Sequence, residues 1–422
     1  MRRRTFFVWH SWIGLTAGLL LFVVCWSGTV AVFSQDIDWL IDERLRAPPA
    51  ESVAWQEIAQ NFEAAHPGWR LNSIQAPIAP GHAAELWLND PDGVMHRGWA
   101  DPGSGRLLAT LSYFNVQRFL RSFHMSLFIG EWRVWEIPFG YWLVGLLAFV
   151  LAASLVTSLI FYKRFWRGFF KLQTHRGAKV FWSDLHKLTG LWGLWFVTLI
   201  AVTGIWYLAE WKITDEAPYP DPPAAEGSVT RTLSISRLVA AAERAYPRLE
   251  VRTVVTGQMD SGLFEVHGQD GGWFTRDRGA RVWLDARDGS TLAIRRSGEM
   301  RPLHRWIDMA DPLHFGNFAG LWSKVVWFVF GLGLSGLCLT GAYLQAKRQQ
   351  RQGQAEWRKA VLTAYAFTVS VLLASVWFGY QEALTYGSAG GLPEVPTGVT
   401  VTIVLFVLTM LAPLGLWVRA LR

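Results

Sequence analysis

Two histidines stand at the start of long apolar runs, each one helical turn before a glycine. The segments are His10-Ser11-Trp12-Ile13-Gly14 and His186-Lys187-Leu188-Thr189-Gly190. In each copy a further glycine, Gly28 or Gly204, follows 18 residues after the histidine. Eighteen residues make five whole turns of an α-helix, so the histidine and the later glycine share one face, about 27 Å apart. The spacing predicts two membrane helices that contribute matched halves of one site.

Two more histidines, His124 and His314, each precede a later apolar run. Paired imidazoles on facing helices can bind the iron of a haem from both sides. We therefore expect His10 with His186 near one membrane face and His124 with His314 near the other. Two histidine ligands leave no open position on iron, which suits electron transfer rather than oxygen binding. Small residues on the same helices leave room for a porphyrin or for close helix contact, namely Gly14, Gly28, Gly190 and Gly204.

The alternative is that these histidines are ordinary polar residues at a membrane boundary. Ionisable groups inside a bilayer nevertheless tend to be functional, and the repeat at equal spacing favours ligation by His10 and His186. Two reserve ligands are His304, in the polar stretch just before His314, and His175, in a basic loop.

The composition indicates a membrane protein with water-facing parts. Apolar residues make up 51% of the chain and charged residues 17%, divided between membrane-length apolar runs and polar stretches. The net charge of +7 does not predict nucleic-acid binding, because the basic residues cluster beside apolar runs, where they orient helices. Cys25 and Cys338 both lie inside apolar runs, so neither a disulfide framework nor a thiolate metal cluster is expected.

The apolar runs predict an α-helical membrane bundle of six spans. These cover residues 1–35, 139–162, 184–211, 321–344, 360–384 and 397–418. Basic residues at both termini and in the loops 163–183 and 345–359 mark the cytoplasmic side. Both termini are therefore expected in the cytoplasm.

Two polar regions, 36–133 and 212–311, repeat one order of elements, with a helix stopped by proline and then strands. They predict two α+β domains on the outer side, which complete an internal two-fold repeat. The second is entered through the proline-rich segment 218–223. The predicted strands are 85–88 and 94–99 in the first region and 252–257, 263–267, 272–276 and 281–285 in the second.

Several common enzyme motifs do not occur in the sequence. There is no G-x-G-x-x-G after a strand, no Walker loop and no H-E-x-x-H zinc motif. Without a dinucleotide-binding domain, electrons would enter from outside the chain, from a quinol or a separate reductase.

These motifs resemble those of the PepSY-associated transmembrane proteins, especially members described as siderophore-iron reductases of bacterial inner membranes. The resemblance rests on His10-x-x-x-Gly14-Leu15, on Asp184-Leu185-His186-Lys187-Leu188-Thr189-Gly190-Leu191-Trp192 and on Pro312-Leu313-His314-Phe315-Gly316. It covers about residues 1–350 and leaves the last hairpin, 360–418, unmatched. It implies PepSY-like periplasmic modules and two haem b groups, with His10, His124, His186 and His314 at the matching histidine positions.

The expected function is that of a metalloreductase in the bacterial inner membrane. An inner haem would accept an electron and pass it to an outer haem, which would reduce Fe(III) held by a siderophore or another chelator in the periplasm. Reduction weakens the hold of hard oxygen ligands on iron and so releases it. Two alternatives stay open: a PepSY-type binding or regulatory membrane protein whose histidines merely pack, and a haem electron carrier that serves another envelope acceptor.

Overall fold

The computed structural model describes residues 3–216, 229, 231–272, 274–352 and 356–421. These residues form a helical bundle and a separate antiparallel sheet. The helices are α1 (Arg3–Ala31), α2 (Ser34–Ile41), α3 (Trp55–Ala65), α4 (Val116–Ser126), α5 (Phe139–Phe161), α6 (Ala178–Trp192), α7 (Leu194–Glu216), α8 (Ile235–Ala245), α9 (Pro302–Phe315), α10 (Gly320–Arg351), α11 (Glu356–Leu384) and α12 (Thr397–Leu421).

Within the described ranges, five helices are long and apolar enough to cross a membrane, namely α1, α5, α10, α11 and α12. Helices α6 and α7 pass the same test only together, as a pair bent by 66°. The residues 184–211, predicted as one span, are therefore two helices joined by a bend and not one continuous helix. The break falls at Gly193, where an added Cβ would lie 2.9 Å from the carbonyl oxygen of Thr189. Because of this break, His186 and Gly204 do not share the face of a continuous helix.

Helix α1 lies at the centre of the bundle and contacts α4, α5, α10 and α11. It approaches α10 closely at two small residues. An added Cβ on Gly14 would lie 3.7 Å from Gly341, and one on Gly18 would lie 3.1 Å from the carbonyl oxygen of Cys338. Small residues let helix backbones approach in this way, so α1 and α10 form a close-packed pair to which the other helices attach.

The strands among the described residues are β1 (Arg70–Gln75), β2 (Ala84–Asn89), β3 (Met95–Ala100), β4 (Leu107–Ser112), β5 (Arg133–Val134), β6 (Ile137–Pro138), β7 (Glu250–Val255), β8 (Leu263–Gln269), β9 (Ala280–Asp285) and β10 (Thr291–Arg295). Eight of them form one antiparallel sheet in the order β10-β9-β8-β7-β1-β2-β3-β4, and β5 pairs with β6 in a small hairpin.

The two polar regions share this sheet, whereas the sequence predicts a separate domain for each. The first strands of the two regions, β1 and β7, pair with each other, and Ile74 lies opposite Val254. Both side chains are fully buried, in a core with Ile58 and Phe62 of α3 and Leu238 of α8. The pairing satisfies the backbone groups of two strands that would otherwise be exposed edges.

The strand predictions need correction in both regions. The sequence predicts no strand at β1, β4 or β10. Strand β1 has a polar sequence, although its Ser73 and Gln75 are buried. In the predicted strand 272–276, the described residues lie instead in the connection between β8 and β9. The proline-rich segment 218–223 lies outside the described residues.

The last two helices are joined to the bundle by polar contacts. Glu382 of α11 accepts hydrogen bonds from the Arg118 guanidinium at 2.8 Å and from the Ser122 hydroxyl at 2.7 Å. Both donors belong to α4, which also contacts α12. The hairpin of α11 and α12 therefore helps to fix the position of α4.

A disulfide across the two halves tests the shared sheet. Residues directly opposite in an antiparallel pair have Cβ atoms about 4.5–5.5 Å apart, close to what a disulfide requires. Ser73 lies opposite Val255. We expect the full-length double variant Ser73→Cys, Val255→Cys to form a disulfide-linked peptide under mild oxidation, detected by mass spectrometry.

The matched control is Ser73→Cys, Thr253→Cys. Thr253 lies opposite Gln75, so this pair is diagonal, at roughly 7–8 Å, and we expect little cross-link. Equal yields for the two pairs, or no cross-link in either, would contradict the continuous sheet.

Candidate functional site

The end of the bundle farther from the sheet holds the distal pair, defined as His10 of α1 and His186 of α6. Their ring centroids are 6.5 Å apart and the ring planes make an angle of 70°. The structure thus brings together two histidines that are 176 positions apart in sequence (186 − 10). Each sits well inside its helix, not at the first residue.

The end nearer the sheet holds the sheet-side pair, His124 of α4 and His314 of α9. Their ring centroids are 6.1 Å apart and the planes make an angle of 38°. Each histidine lies in the last turn of a short helix. Both helices stop at a left-handed residue, Leu127 (φ 51°) after α4 and Gly316 (φ 69°) after α9. The sequence places these histidines at the mouths of spans, whereas the structure gives each its own supporting helix.

Backbone carbonyl groups fix the orientation of one ring in each pair. The Nδ1–H of His10 donates to the Ser154 carbonyl oxygen of α5 at 2.9 Å, and that of His124 donates to the Val24 carbonyl oxygen of α1 at 3.0 Å. A carbonyl oxygen only accepts, so the proton of each neutral ring is on Nδ1. Nε2 of both rings therefore carries a free lone pair.

Threonine hydroxyls hold the other two rings. Nδ1 of His186 lies 2.8 Å from Oγ1 of Thr340, and Nδ1 of His314 lies 2.8 Å from Oγ1 of Thr203. Each threonine hydroxyl already donates to the carbonyl four residues earlier in its helix. Its oxygen must therefore accept from the imidazole, which again leaves Nε2 as the free lone pair.

The four rings present the donor set that a haem iron requires. None of the four Nε2 atoms is hydrogen-bonded to another residue in the described part of the chain. With metal–nitrogen bonds of about 2.0 Å, two imidazoles on opposite sides of one ion have ring centroids roughly 6 Å apart. The observed separations, 6.5 and 6.1 Å, agree with this value.

The site does not resemble a binding site for a bare metal ion. Across the described ranges, no group of three or more His, Cys, Asp or Glu side chains could hold one. Protein sites for zinc and similar ions need three or four protein ligands, whereas a haem brings four nitrogen ligands and needs only two more. The residues therefore fit a haem better than an isolated ion.

The glycines singled out by spacing have different surroundings. An added Cβ on Gly28 would lie 2.6 Å from Cε1 of His124, so this glycine makes room for a site histidine. Gly204 packs against Ala148, at 2.9 Å from an added Cβ, which is close helix contact. Gly14 and Gly190 have looser neighbours on α10, at 3.7 Å and 3.8 Å.

The two reserve ligands do not join either pair. His304 is buried near the start of α9, ten residues and therefore about 15 Å along the helix from His314. His175 is exposed in the connection between α5 and α6.

A buried carboxylate supports the helix that carries His124. Asp38 of α2 is only 4% exposed, and its two oxygens accept from the backbone N–H groups of Val116 and Gln117 at 3.0 and 2.9 Å. These N–H groups lie in the first turn of α4 and have no acceptor within the helix itself. Burial raises the pKa of Asp38 to about 7, although the two N–H donors act in the opposite direction.

Helix α9 is supported by a second polar network. The Tyr207 ring lies edge-on to His314 at 5.1 Å, and its hydroxyl donates to Asp311 of α9 at 2.7 Å. Asp311 also pairs with Arg276, from the connection between β8 and β9, at 2.7 Å. Each sheet-side histidine is thus held by groups from beyond its own helix.

Sequence reasoning missed the supporting residues of the site. Thr203 and Thr340 look like ordinary small residues in apolar runs, and the carbonyl groups of Ser154 and Val24 have no signature at all. Glu382 could have been identified from the sequence as a residue with a polar partner, because a carboxylate at the end of an apolar run needs one.

Comparison with known proteins identifies one matching family and one similar protein. The sequence model of the PepSY-associated TM region matches residues 7–348, from α1 into α10, and so includes all four paired histidines. Uncharacterized protein PA4219 of Pseudomonas aeruginosa is 29% identical in an alignment over 302 residues, and this alignment covers 65% of this chain and 75% of that protein.

The raised pKa of Asp38 predicts a pH effect on stability. A carboxyl group that gains a proton on folding stabilises the fold fully below its unfolded pKa of 3.8, and this stabilisation is lost as pH rises to about 7. We expect the thermal midpoint of the full chain in detergent to fall by several degrees between pH 4 and 7. In Asp38→Asn, which cannot ionise, most of this fall should be absent.

The control is Asp42→Asn. Burial raises the pKa of Asp42, but hydrogen bonds from Arg44 outweigh it and hold that pKa below its ordinary value. Its stabilisation is lost only as pH falls below about 4, so the variant should keep the decline between pH 4 and 7. The same decline in Asp38→Asn would contradict the role given to Asp38.

Proposed function

The chain belongs to the PepSY-associated transmembrane family and is a multi-pass membrane protein, and from this premise we propose that it is a haem-dependent reductase of ferric chelates. The observation that carries the proposal is the geometry of the two histidine pairs. Each pair joins two helices, and in all four rings Nδ1 is hydrogen-bonded while Nε2 is free.

In this proposal His10 with His186, and His124 with His314, each hold one haem b. A haem with two histidine ligands supplies reversible one-electron transfer at its iron. The Nδ1 hydrogen bonds orient the imidazoles and increase their basicity as ligands. On α1, His10 belongs to the distal pair and Gly28 lies against His124 of the sheet-side pair. These two positions are about 27 Å apart along the helix.

The basic residues support an orientation in the membrane. Arg3 lies beside Lys163 and Arg164, and the Arg348 guanidinium lies 4.4 Å from the ring of Phe7. These cations gather at the end of the bundle away from the sheet. By the positive-inside rule this end is cytoplasmic, so the sheet and the sheet-side pair would face the periplasm from a bacterial inner membrane.

The proposed substrate is Fe(III) held by a siderophore or another chelator on the sheet side. Addition of one electron gives Fe(II), which hard oxygen ligands hold more weakly, and the iron leaves the chelator. The electron donor would be a quinol in the bilayer or a separate reductase, because the sequence has no dinucleotide fingerprint.

The spectrum of the purified full chain tests the proposal. We expect a b-type spectrum after reduction with dithionite, with about two haems per chain by pyridine haemochrome assay. His10→Ala or His186→Ala should each remove about one haem, as should His124→Ala or His314→Ala. A double variant with one histidine from each pair should bind almost none.

The control is His175→Ala, at an exposed histidine away from both pairs, which should keep two haems. A colourless wild-type protein would contradict the proposal and would favour a binding or regulatory role. If the protein bound two haems that no ferric chelate reoxidised, the remaining hypothesis would be a haem protein that carries electrons to another acceptor in the envelope.

A single methyl group tests the sheet-side pair separately. In Gly28→Ala the new Cβ would lie 2.6 Å from the His124 ring, which must therefore move. We expect this variant to lose the sheet-side haem or to leave it with one ligand, seen as a change from six-coordinate to five-coordinate absorption. Gly14→Ala, on the same helix but with 3.7 Å of clearance, should keep both haems unchanged. Wild-type absorption in Gly28→Ala would contradict the placement of His124.

A further inference from the structure

The turn that follows His124 has a backbone conformation that its side chains disfavour. Leu127 and Phe128, the third and fourth residues after this histidine, both have positive φ, at 51° and 61°. Residues with a Cβ atom rarely adopt this left-handed region, and the conformation persists only where surrounding contacts enforce it. The last turn of α4, which carries His124, therefore depends on contacts from other parts of the chain.

Glu382 of α11 supplies polar contacts to this helix. Its Oε1 atom accepts from Nε and Nη2 of Arg118 at 3.0 and 2.8 Å, from the Ser122 hydroxyl at 2.7 Å and from the Tyr386 hydroxyl at 3.3 Å. Ser122 is buried, and its own carbonyl oxygen accepts from the backbone N–H of Phe128 at 3.4 Å. One residue thus connects the carboxylate to the left-handed turn.

Apolar contacts from α11 and α12 cover the same turn. An added Cβ on Gly379 of α11 would lie 3.0 Å from the ring of Phe128, so the glycine lets this ring pack against the helix. Phe406 of α12 lies edge-on to Phe123, the residue directly before His124, at 5.8 Å. The ring of His124 itself faces α1, where it donates to a backbone carbonyl. The hairpin therefore holds the turn without touching the Nδ1 hydrogen bond of the histidine.

The hairpin lies outside the part of the chain that matches the family. The match ends at residue 348, whereas α11 begins at Glu356. All four paired histidines and the acceptors of their Nδ1 hydrogen bonds lie before that point. The contacts of the hairpin can therefore be altered while every ring keeps its own acceptor.

We propose that Glu382 is a positioning residue that keeps His124 on the iron at the sheet-side pair. The inference rests on the proposed haem at that pair and gives the hairpin of α11 and α12 a role in its coordination. Without the carboxylate, Arg118 and Ser122 lose their common acceptor, and the left-handed turn loses a contact that enforces it. The His124 ring then leaves the iron more often. His10 and His186 lie at the other end of the bundle, so the distal pair should not respond.

The rate of carbon monoxide binding tests this role. Carbon monoxide binds a reduced six-coordinate haem only after one imidazole has left, so at saturating gas the observed rate is set by that departure. In full-length His10→Ala, which keeps the sheet-side pair, Glu382→Ala should accelerate binding about ten-fold. Glu382→Gln keeps an oxygen acceptor for Ser122 and should accelerate it about two-fold. Glu394→Ala, at an exposed carboxylate between the same two helices, should leave the rate unchanged.

Hydrogen exchange of the apoprotein gives a readout that needs no haem. In full-length protein made in haem-deficient cells, Glu382→Ala should speed amide exchange in the peptide that covers residues 119–130, and Glu394→Ala should not. In His124→Ala, which keeps only the distal pair, Glu382→Ala should leave the carbon monoxide rate unchanged. If Glu382→Ala does not accumulate, Glu382→Gln is compared in the same way.

Two results would overturn the inference while leaving the haem proposal intact. One is an unchanged carbon monoxide rate at the sheet-side pair in Glu382→Ala, whatever the exchange shows. The other is an equal acceleration at the distal pair, which would indicate a general loosening of the bundle. A wild-type protein that binds no haem would overturn the proposed function and, with it, the role of Glu382 at the iron.

Discussion

The arrangement of the site depends on the hydrogen bond that each paired imidazole makes through Nδ1. All four acceptors belong to a different helix from the histidine that donates to them. Two are backbone carbonyls and two are threonine hydroxyls whose own protons are already donated. Each bond fixes a tautomer and a ring direction together, so the unprotonated nitrogens are available between the helices. Without these hydrogen bonds, neither the tautomer nor the direction of each ring would be fixed, and Nε2 would not have to carry the free lone pair.

The rest of the structure keeps these helices in register. Helices α1 and α10 pack closely through small residues, and both provide parts of the site. The short helix α4 is held at its first turn by Asp38 and along its side by Glu382, while Asp311 and Arg276 connect α9 to the sheet. The continuous sheet joins the two repeats at β1 and β7. The sheet and the hairpin of α11 and α12 therefore both help to fix the positions of the sheet-side histidines.

The sequence was most informative where a chemical residue type coincided with a helical period. The equal spacing of His10 and Gly28 could be read because α1 is a continuous helix, and Gly28 does meet a site histidine. The same reasoning failed from His186 to Gly204, because the helix is broken at Gly193 and the periodicity of the residues does not reveal this break. The β1–β7 pairing and the threonine acceptors were also beyond prediction, since they depend on contacts between distant segments and have no local signature.

Electron paramagnetic resonance of the ferric protein tests most directly the claim that each histidine pair binds one iron from both sides. Two strong-field imidazole ligands make ferric haem low-spin, and the angle between their planes sets how anisotropic the signal is. The account predicts two low-spin signals of similar intensity, with the more anisotropic one from the distal pair, whose rings are 70° apart. A dominant high-spin signal in the unmodified protein would show that an iron has lost one imidazole, and would contradict the account.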